Sequence, residues 1–240
     1  MTVTLLDWDS AFFGVRIGRA RVQHSEDLAR LDAAAHELRL DCLYALLPQP
    51  APPTLPAALQ EAGFFLTDVS QVLAAPLASE HGDPSVPEPG TLEDAGALGD
   101  LLDLLVPWSR FAADPRFGAD AAKAMYVRWA ERAAVSDDEL MAVTRSPDGR
   151  VDGLITVSAS PTPRIGLLVS ARRGGGSHLV AAAKRWAADR GGDRLETATQ
   201  ARNALALAFY ERHGFRTTSS TYVMHRWFTA AASSFAGPRS

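Results

Sequence analysis

The chain reads as an α+β protein, a mixed β-sheet flanked by helices, on three observations. Apolar, β-branched runs of strand length alternate with amphipathic stretches of helical period from one end to the other. Glu139–Thr144 and Val151–Ser158 flank Pro147-Asp148-Gly149, a hairpin signal. Between Arg164 and Phe215 the order is strand, Gly-rich turn, helix, strand, Asn-started helix, Gly-Phe, strand. With 240 residues, 47% of them hydrophobic, the chain can bury a normal core as one large domain or two small ones.

Taken in order, Val3–Leu6 and Val15–Val22 are strand-like, and Ser25–Leu38 is helical, opened by a Ser/Glu cap signal. Cys42–Leu47 is a buried strand. Leu55–Ala62 is a short helix ended by Gly63, a good residue just past a helix. Phe64–Leu77 is a further strand. Residues 79–90 are rich in Pro, Gly and Ser and read as a linker. Leu92–Leu105 reads as an amphipathic helix, Pro107–Gly118 as a loop or short helical turn, and Ala119–Ala134 as a second helix. After the hairpin come the strand Ile165–Val169, a helix with apolar positions Leu179, Ala182, Ala183 and Trp186, and the strand Leu195–Thr199. The last strand, Thr221–Phe228, either pairs across a dimer or closes its own sheet. Residues 229–240 are small and polar, a tail. The expected parts are thus 1–78, the linker 79–90, 91–228 and the tail 229–240.

The two parts echo one another. Asp41 to Gly63-Phe64 and Asp193 to Gly214-Phe215 both run Asp, strand, helix, Gly-Phe, long strand, an internal repeat. The N-terminal copy lacks a Gly-rich loop before Asp41, has Leu59 where the other has Tyr210, and has no Asn at its helix start. It reads as scaffold and as a wall for the substrate.

Charge and cysteine content exclude several classes. A net charge of −4 without a basic run argues against a nucleic-acid surface. No 18-residue apolar stretch and no charged-then-apolar amino terminus occurs, so neither a membrane span nor a signal peptide is expected. The single Cys42 excludes an internal disulfide and a multi-Cys metal site. No metal is expected, and cytoplasmic residence is the default.

Gly174, Gly175 and Gly176 open a helix directly after a strand. The unpaired N–H groups of a helix start, together with the helix dipole, make such a turn a pyrophosphate site. Ser177 shares that first turn. Asn203 starts the last helix, as an N-cap, a cofactor contact, or both.

This stretch resembles the acetyl-CoA-binding core of the GNAT superfamily of N-acetyltransferases. Gly174 and Gly176 match the small positions of the family's [Q/R]-x-x-G-x-[G/A] loop. Ala171 stands at its first position, leaving Arg172 and Arg173 as side-chain candidates for the pyrophosphate. Asn203, Ala206, Tyr210 and Gly214-Phe215 match the downstream N-x-x-A-x-x-x-Y-x-x-x-G-F pattern. The resemblance implies a GNAT fold with a degenerate GNAT-like N-terminal half, and acetyl-CoA as cofactor. It implies Tyr210 as the acid that protonates the departing thiolate, with an ordinary phenol pKa of about 10. It also implies a backbone N–H of Leu168 or Val169 as donor to the thioester carbonyl.

A narrower resemblance, to dTDP-fucosamine (TDP-4-amino-4,6-dideoxygalactose) acetyltransferases, is carried by several stretches. They are Asp7-Trp8-Asp9-Ser10-Ala11-Phe12-Phe13-Gly14, Ser109-Arg110-Phe111 with Tyr126 and Trp129, Arg164-Ile165-Gly166-Leu167-Leu168, and Ala198-Thr199-Gln200 with Asn203. It implies the amine of a nucleotide-linked amino sugar as acceptor. Candidate acceptor residues are Phe12, Phe13, Arg110, Phe111 and Arg116, with Trp108 and Phe117 nearby. Arginine forks suit a diphosphate and aromatic rings suit a base. Two alternatives stay open: a GNAT acting on another small amine, and a non-catalytic acyl-CoA-binding protein. The general base also stays open among Glu196, His178, His213, His225, a water chain and an amine that arrives already neutral, since Arg164–Ser170 holds no acid.

Overall fold

The structure is a computed structural model that describes residues 2–77, 87–159 and 162–228. Its strands are β1 (Val3–Leu5), β2 (Ile17–Arg21), β3 (Cys42–Pro48), β4 (Phe65–Pro76), β5 (Glu88–Pro89), β6 (Glu139–Arg145), β7 (Val151–Ser158), β8 (Arg164–Ser170), β9 (Arg194–Gln200) and β10 (Arg216–Trp227). Its α-helices are α1 (Asp7–Phe13), α2 (Asp27–Glu37), α3 (Leu55–Glu61), α4 (Leu92–Gly96), α5 (Gly99–Leu102), α6 (Arg110–Ala113), α7 (Gly118–Val135), α8 (Gly175–Asp189) and α9 (Ala204–Arg212). A 3₁₀ turn covers Val106–Trp108.

All ten strands form one mixed sheet in the order β1-β2-β3-β10-β4-β9-β8-β7-β6-β5. The α+β class with a mixed sheet flanked by helices is therefore as expected. The order has the symmetry that an internal repeat requires. β10 is antiparallel to both β3 and β4, and β4 is antiparallel to both β10 and β9. β2 runs parallel to β3 as β8 runs parallel to β9. Gly63 and Gly214 follow α3 and α9 with φ of +85° and +84°. The last strand of each half thus lies inside the half contributed by the other. The alternative that Thr221–Phe228 pairs across a dimer does not hold in this sheet, because β10 is bonded along both edges within its own chain.

Side-chain alternation builds a core on each face of the sheet. Cys42, Tyr44, Val143, Leu154, Leu167 and Val169 pack towards α4–α7, while Ala142, Ile155, Val157 and Ile165 pack under α8 and α9. Leu43, Ala45 and Leu47 pack with Leu31 of α2 and Leu59 of α3. The strand predicted over Cys42–Leu47 is apolar at nearly every position because both its faces are covered.

Three local expectations are corrected. The segment read as one helix over Leu92–Leu105 is two short helices, α4 and α5, and a 3₁₀ turn. Gly96 and Gly99 each cost a helix interior about 1 kcal/mol, and the Thr91–Asp94 capping box secures only the start of α4. The Ser25/Glu26 cap does not form: α2 begins without a side-chain cap, and Asp27 instead accepts from the amides of Gln23 and His24. Of the linker read over 79–90, Glu88 and Pro89 form an edge strand on β6, while residues 79–86 and the tail 229–240 lie outside the described residues.

One buried polar hub ties β10 to the helices above it. Asp114, fully buried, accepts hydrogen bonds from His225 Nδ1 (2.8 Å), Trp227 Nε1 (3.0 Å) and the Arg116 amide (3.0 Å). Burial would raise the Asp114 carboxyl, but the bonds from His225, Arg116 and Trp227 outweigh it and hold the group below its ordinary value. Burial pushes His225 down to about 4 against the pull of Asp114, so the imidazole is neutral and donates through Nδ1–H. Asp114→Ala leaves three donors without their acceptor, the His225 imidazole fully buried and the other two partly so, and is expected to cost about 2–4 kcal/mol, read as a lower urea midpoint at unchanged m-value.

Candidate active site

The site begins where two parallel strands separate. β8 and β9 pair only at Arg164↔Glu196 and Ile165↔Thr197. β8 stays bonded to β7 as far as Ser170, and β9 stays bonded to β4 over seven residue pairs. A register shift between Thr156 and Val157 leaves Gly166 as the extra residue on β8. A cavity of about 430 Å³ opens in the resulting wedge. Its walls come from β4 (Asp68, Ser70), β8 (Arg164 to Leu168), β9 (Thr197 to Gln200), α9 (Ala206, Tyr210) and the α6–α7 region.

The Leu167 amide donates to Thr156 Oγ1 at 2.9 Å, towards β7. Successive amides of a strand point to opposite edges, so the Leu168 N–H faces the side from which β9 has withdrawn. Leu168 lines the cavity. Val169 is only 6% exposed and belongs to the core on the α7 face. Of the two amides named from the sequence, Leu168 is the one open to the wedge.

Beyond β8 the chain turns into α8 through Gly174, whose φ of +83° suits glycine. No side chain caps this helix. A Cβ on Gly175 would stand 2.4 Å from Ser170 Oγ, so a side chain there has to displace the hydroxyl that holds the Arg172 carbonyl of the turn. An uncapped helix start on a glycine turn beside an open strand fits the pyrophosphate and amide-bearing arm of acetyl-CoA. Among the side chains named for that role, Arg172 is paired with Asp152 at 3.3 Å and Arg173 is exposed. Ser177 Oγ meets His213 Nε2 at 3.0 Å. His213 Nδ1 meets the Phe209 carbonyl at 2.8 Å and donates to it, since a carbonyl only accepts.

Asn203 caps α9 through a bond from the Ala206 amide (3.1 Å) and also lines the cavity. Tyr210 is 5% exposed and shares a hydrogen bond with Thr197. Burial, partly offset by that bond, pushes its phenol up to about 12.

Asp68 is the cavity residue that sequence reasoning missed. It is 8% exposed, and its Oδ1 has no hydrogen-bond partner. Burial pushes its carboxyl up to about 6 against the charges of Arg110 and Arg202 and bonds from the Val69 amide and the Gln200 side chain. The imidazoles named as candidate bases do not line this cavity. His225 is buried on Asp114, His213 bridges α9 and α8, and His178 is exposed on α8. Glu196 also lies outside the lining and pairs with Arg194 at 3.1 Å.

Arg110 is brought to the cavity by α6, which Ser109 caps at the Phe111 amide (3.2 Å). Its guanidinium lies 4.9 Å from the Tyr44 ring and 4.6 Å from the Phe111 ring. It has no hydrogen-bond partner among the described residues, so its donors remain for an anion. Arg164, Phe111 and Trp108 share the lining, and Arg202 lies 5.7 Å over the Trp108 ring at its rim. Phe12, Phe13 and Arg116, also named from the sequence, lie outside it. Phe13 packs on Phe117 at 4.4 Å, and Arg116 stacks on Trp227 at 5.0 Å, beside the Asp114 hub.

A wedge between parallel strands, a phosphate-shaped helix start and a tyrosine in the cleft define an acyl-CoA-dependent transferase of the GNAT type. The model of the Acetyltransferase (GNAT) family matches residues 115–215. The dTDP-fucosamine acetyltransferase of Escherichia coli O6:H1 (strain CFT073) is 32% identical over 225 residues, covering 92% of this chain and 96% of that one. The chain belongs to the GNAT family and is an acetyl-CoA-dependent N-acetyltransferase. Two solved structures support the fold. A GCN5-related N-acetyltransferase from Sphaerobacter thermophilus superposes with a TM-score of 0.56 at 14% identity, covering 96% of this chain and 77% of that one. A conserved protein of unknown function from Staphylococcus epidermidis gives 0.65 at 12% identity, covering 93% and 89%. Among the described residues no helix is long and apolar enough to cross a membrane, and no group of His, Cys, Asp and Glu side chains forms a metal site.

Gly175→Ala is expected to weaken acetyl-CoA binding at least about ten-fold by calorimetry while the far-UV circular dichroism is retained, since one methyl group displaces Ser170 and the turn.

Proposed function

We propose that the protein acetylates the primary amine of a nucleotide-linked amino-deoxysugar by direct attack in a ternary complex, with Asp68 as general base and Tyr210 as general acid. The observation that carries this reading is that one cavity holds a carboxylate and a phenol, both buried, beside a guanidinium that makes no hydrogen bond among the described residues. The dTDP-sugar relative supports the acceptor class.

Acetyl-CoA supplies the thioester. The acceptor amine arrives as an ammonium, and Asp68, ionised above about pH 6, takes its proton. Arg110 assists, because a like charge lowers the ammonium's pKa. The Leu168 N–H donates to the carbonyl oxygen as negative charge develops there. Tyr210 donates its phenolic proton to the departing sulfur. A phenol near 12 is a weak acid towards a thiolate in water. Burial disfavours a thiolate as it does a phenolate, so the enclosure that raises the phenol also favours protonation of the departing sulfur. Arg110 and Arg164 face the acceptor side, where they suit its diphosphate.

Thiol release from acetyl-CoA tests the reading. The dTDP-linked 4-amino-4,6-dideoxygalactose is expected to be turned over with a kcat/KM at least about a hundred-fold above that of the free amino sugar, a margin of roughly 3 kcal/mol. Equal values would remove the nucleotide from the proposal.

Two variants test the assigned groups. A carboxyl raised from 3.8 to about 6 is protonated, and idle as a base, below that pH. The kcat/KM profile is therefore expected to rise with pH through an apparent pKa of about 6. Asp68→Asn is expected to abolish that limb and lower kcat by about 10²–10³. Tyr210→Phe is expected to lower kcat by about ten- to a hundred-fold at little change in the KM for acetyl-CoA. Turnover equal to wild type in either variant assigns the proton transfer elsewhere.

A further inference from the structure

We propose that the groove between α1 and α7 is a subsite for the base of the acceptor's nucleotide, which stacks on the exposed ring of Trp8 beside Trp129. The proposal rests on the sugar-nucleotide reading above and adds to it a place outside the catalytic cavity.

The groove encloses about 340 Å³ and is lined by Trp8, Ala11 and Phe12 of α1 and by Arg128, Trp129 and Arg132 of α7. Trp8 stands in a short surface helix and is 42% exposed. Its ring lies nearly parallel to that of Phe12, with centroids 5.2 Å apart and an interplanar angle of 6°. Phe12 backs one face of the indole, and the 42% of the residue that is exposed offers ring area on which a planar ligand can stack. The two arginines close the sides of the groove. Arg128 is held by Glu131 at 3.0 Å and Arg132 by Glu139 at 2.9 Å, so their charges are largely balanced and their stems supply apolar wall.

The groove adjoins the site through a shared wall residue. Trp129 lines both the groove and the catalytic cavity. An aromatic path leads outward from the cavity, with Tyr126 5.6 Å from Trp129 and Trp129 6.4 Å from Trp8. Helix α1 also flanks Arg110, whose charge acts on the partly buried Asp9. An acceptor whose amine sits at Asp68 and whose diphosphate meets Arg110 therefore has its base directed towards α1. Stacking tolerates any planar base, so the subsite supplies affinity more than choice of base.

Calorimetric titration of the full chain with dTDP, together with the KM for the dTDP-linked amino sugar, tests the subsite. Loss of one stacking ring corresponds to roughly a five- to hundred-fold weakening. Trp8→Ala is expected to weaken dTDP binding and raise that KM within this range, and Trp8→Phe to restore both to within about three-fold of wild type. Trp8 is exposed, so circular dichroism is expected to show a folded variant, and Ala11→Trp, which fills the groove from the exposed face of α1, is expected to weaken dTDP by a similar factor. If the wild type turns over the sugar nucleotide while Trp8→Ala and Ala11→Trp bind dTDP as tightly as wild type, the subsite is overturned and the acceptor reading stands. If wild type binds no dTDP and turns over only other amines, both are overturned.

Discussion

β8 is bonded along its whole length to β7, and β9 to β4, yet the two strands hold each other at only two residue pairs. That partial divorce is the constraint from which the site follows. Strand edges inside a sheet normally satisfy one another, and an unpaired buried amide costs about 1–3 kcal/mol. Here the fold keeps the edges apart by anchoring each on its outer side, and the extra residue at Gly166 sharpens the local twist. The unpaired edge is a template for an amide-bearing ligand, and its far end opens on the helix start at Gly174. The wedge and the open edge of β8 thus follow from one irregularity in the sheet, and both lie beside the glycine turn.

The polar groups of the interior divide by whether they are satisfied. Asp114 is buried completely, yet three donors fill its oxygens and its carboxyl stays ionised, as a structural group should. Asp68 keeps an oxygen without a partner and its carboxyl is pushed up. Arg110 is held by two aromatic faces and not by a carboxylate, so its hydrogen-bonding capacity is unspent. Unsatisfied charge beside a cavity is costly to keep and points to a ligand that completes it.

What the sequence made legible was local. The Gly turn, the Asn203 cap and the hairpin at Gly149 depend on neighbours within a few positions, and each stands where the pattern put it, whereas the last strand, read from Thr221, begins at Arg216 and α1 stands where no helix was read. Asp68 was not legible, because nothing around it departs from an ordinary strand. Its meaning arises from β4 lying between β10 and β9, a pairing between residues far apart in the chain. The same limit explains Arg116. An arginine near the predicted acceptor loop looked like an anion ligand, while its stacking on Trp227 depends on the last strand crossing into the first half. The helix over Leu92–Leu105 failed for the opposite reason: apolar periodicity was weighed above the two glycines that interrupt it.

The pseudo-twofold order of the sheet gives that crossing a chemical consequence. The C-terminal half keeps the glycine turn, the open strand and Tyr210, while its counterpart lacks all three. The N-terminal half has nevertheless kept β4, and exchange of the last strands sets β4 directly against β9. A residue of the half without a cofactor turn, Asp68, therefore faces the cavity that the other half opens. Divergence between two copies is tolerated where each has only to pack, as Leu59 does in its own core at the place equivalent to Tyr210. The first half is then more than a wall. It contributes the carboxylate, the cofactor half contributes the phenol, and neither half alone encloses both.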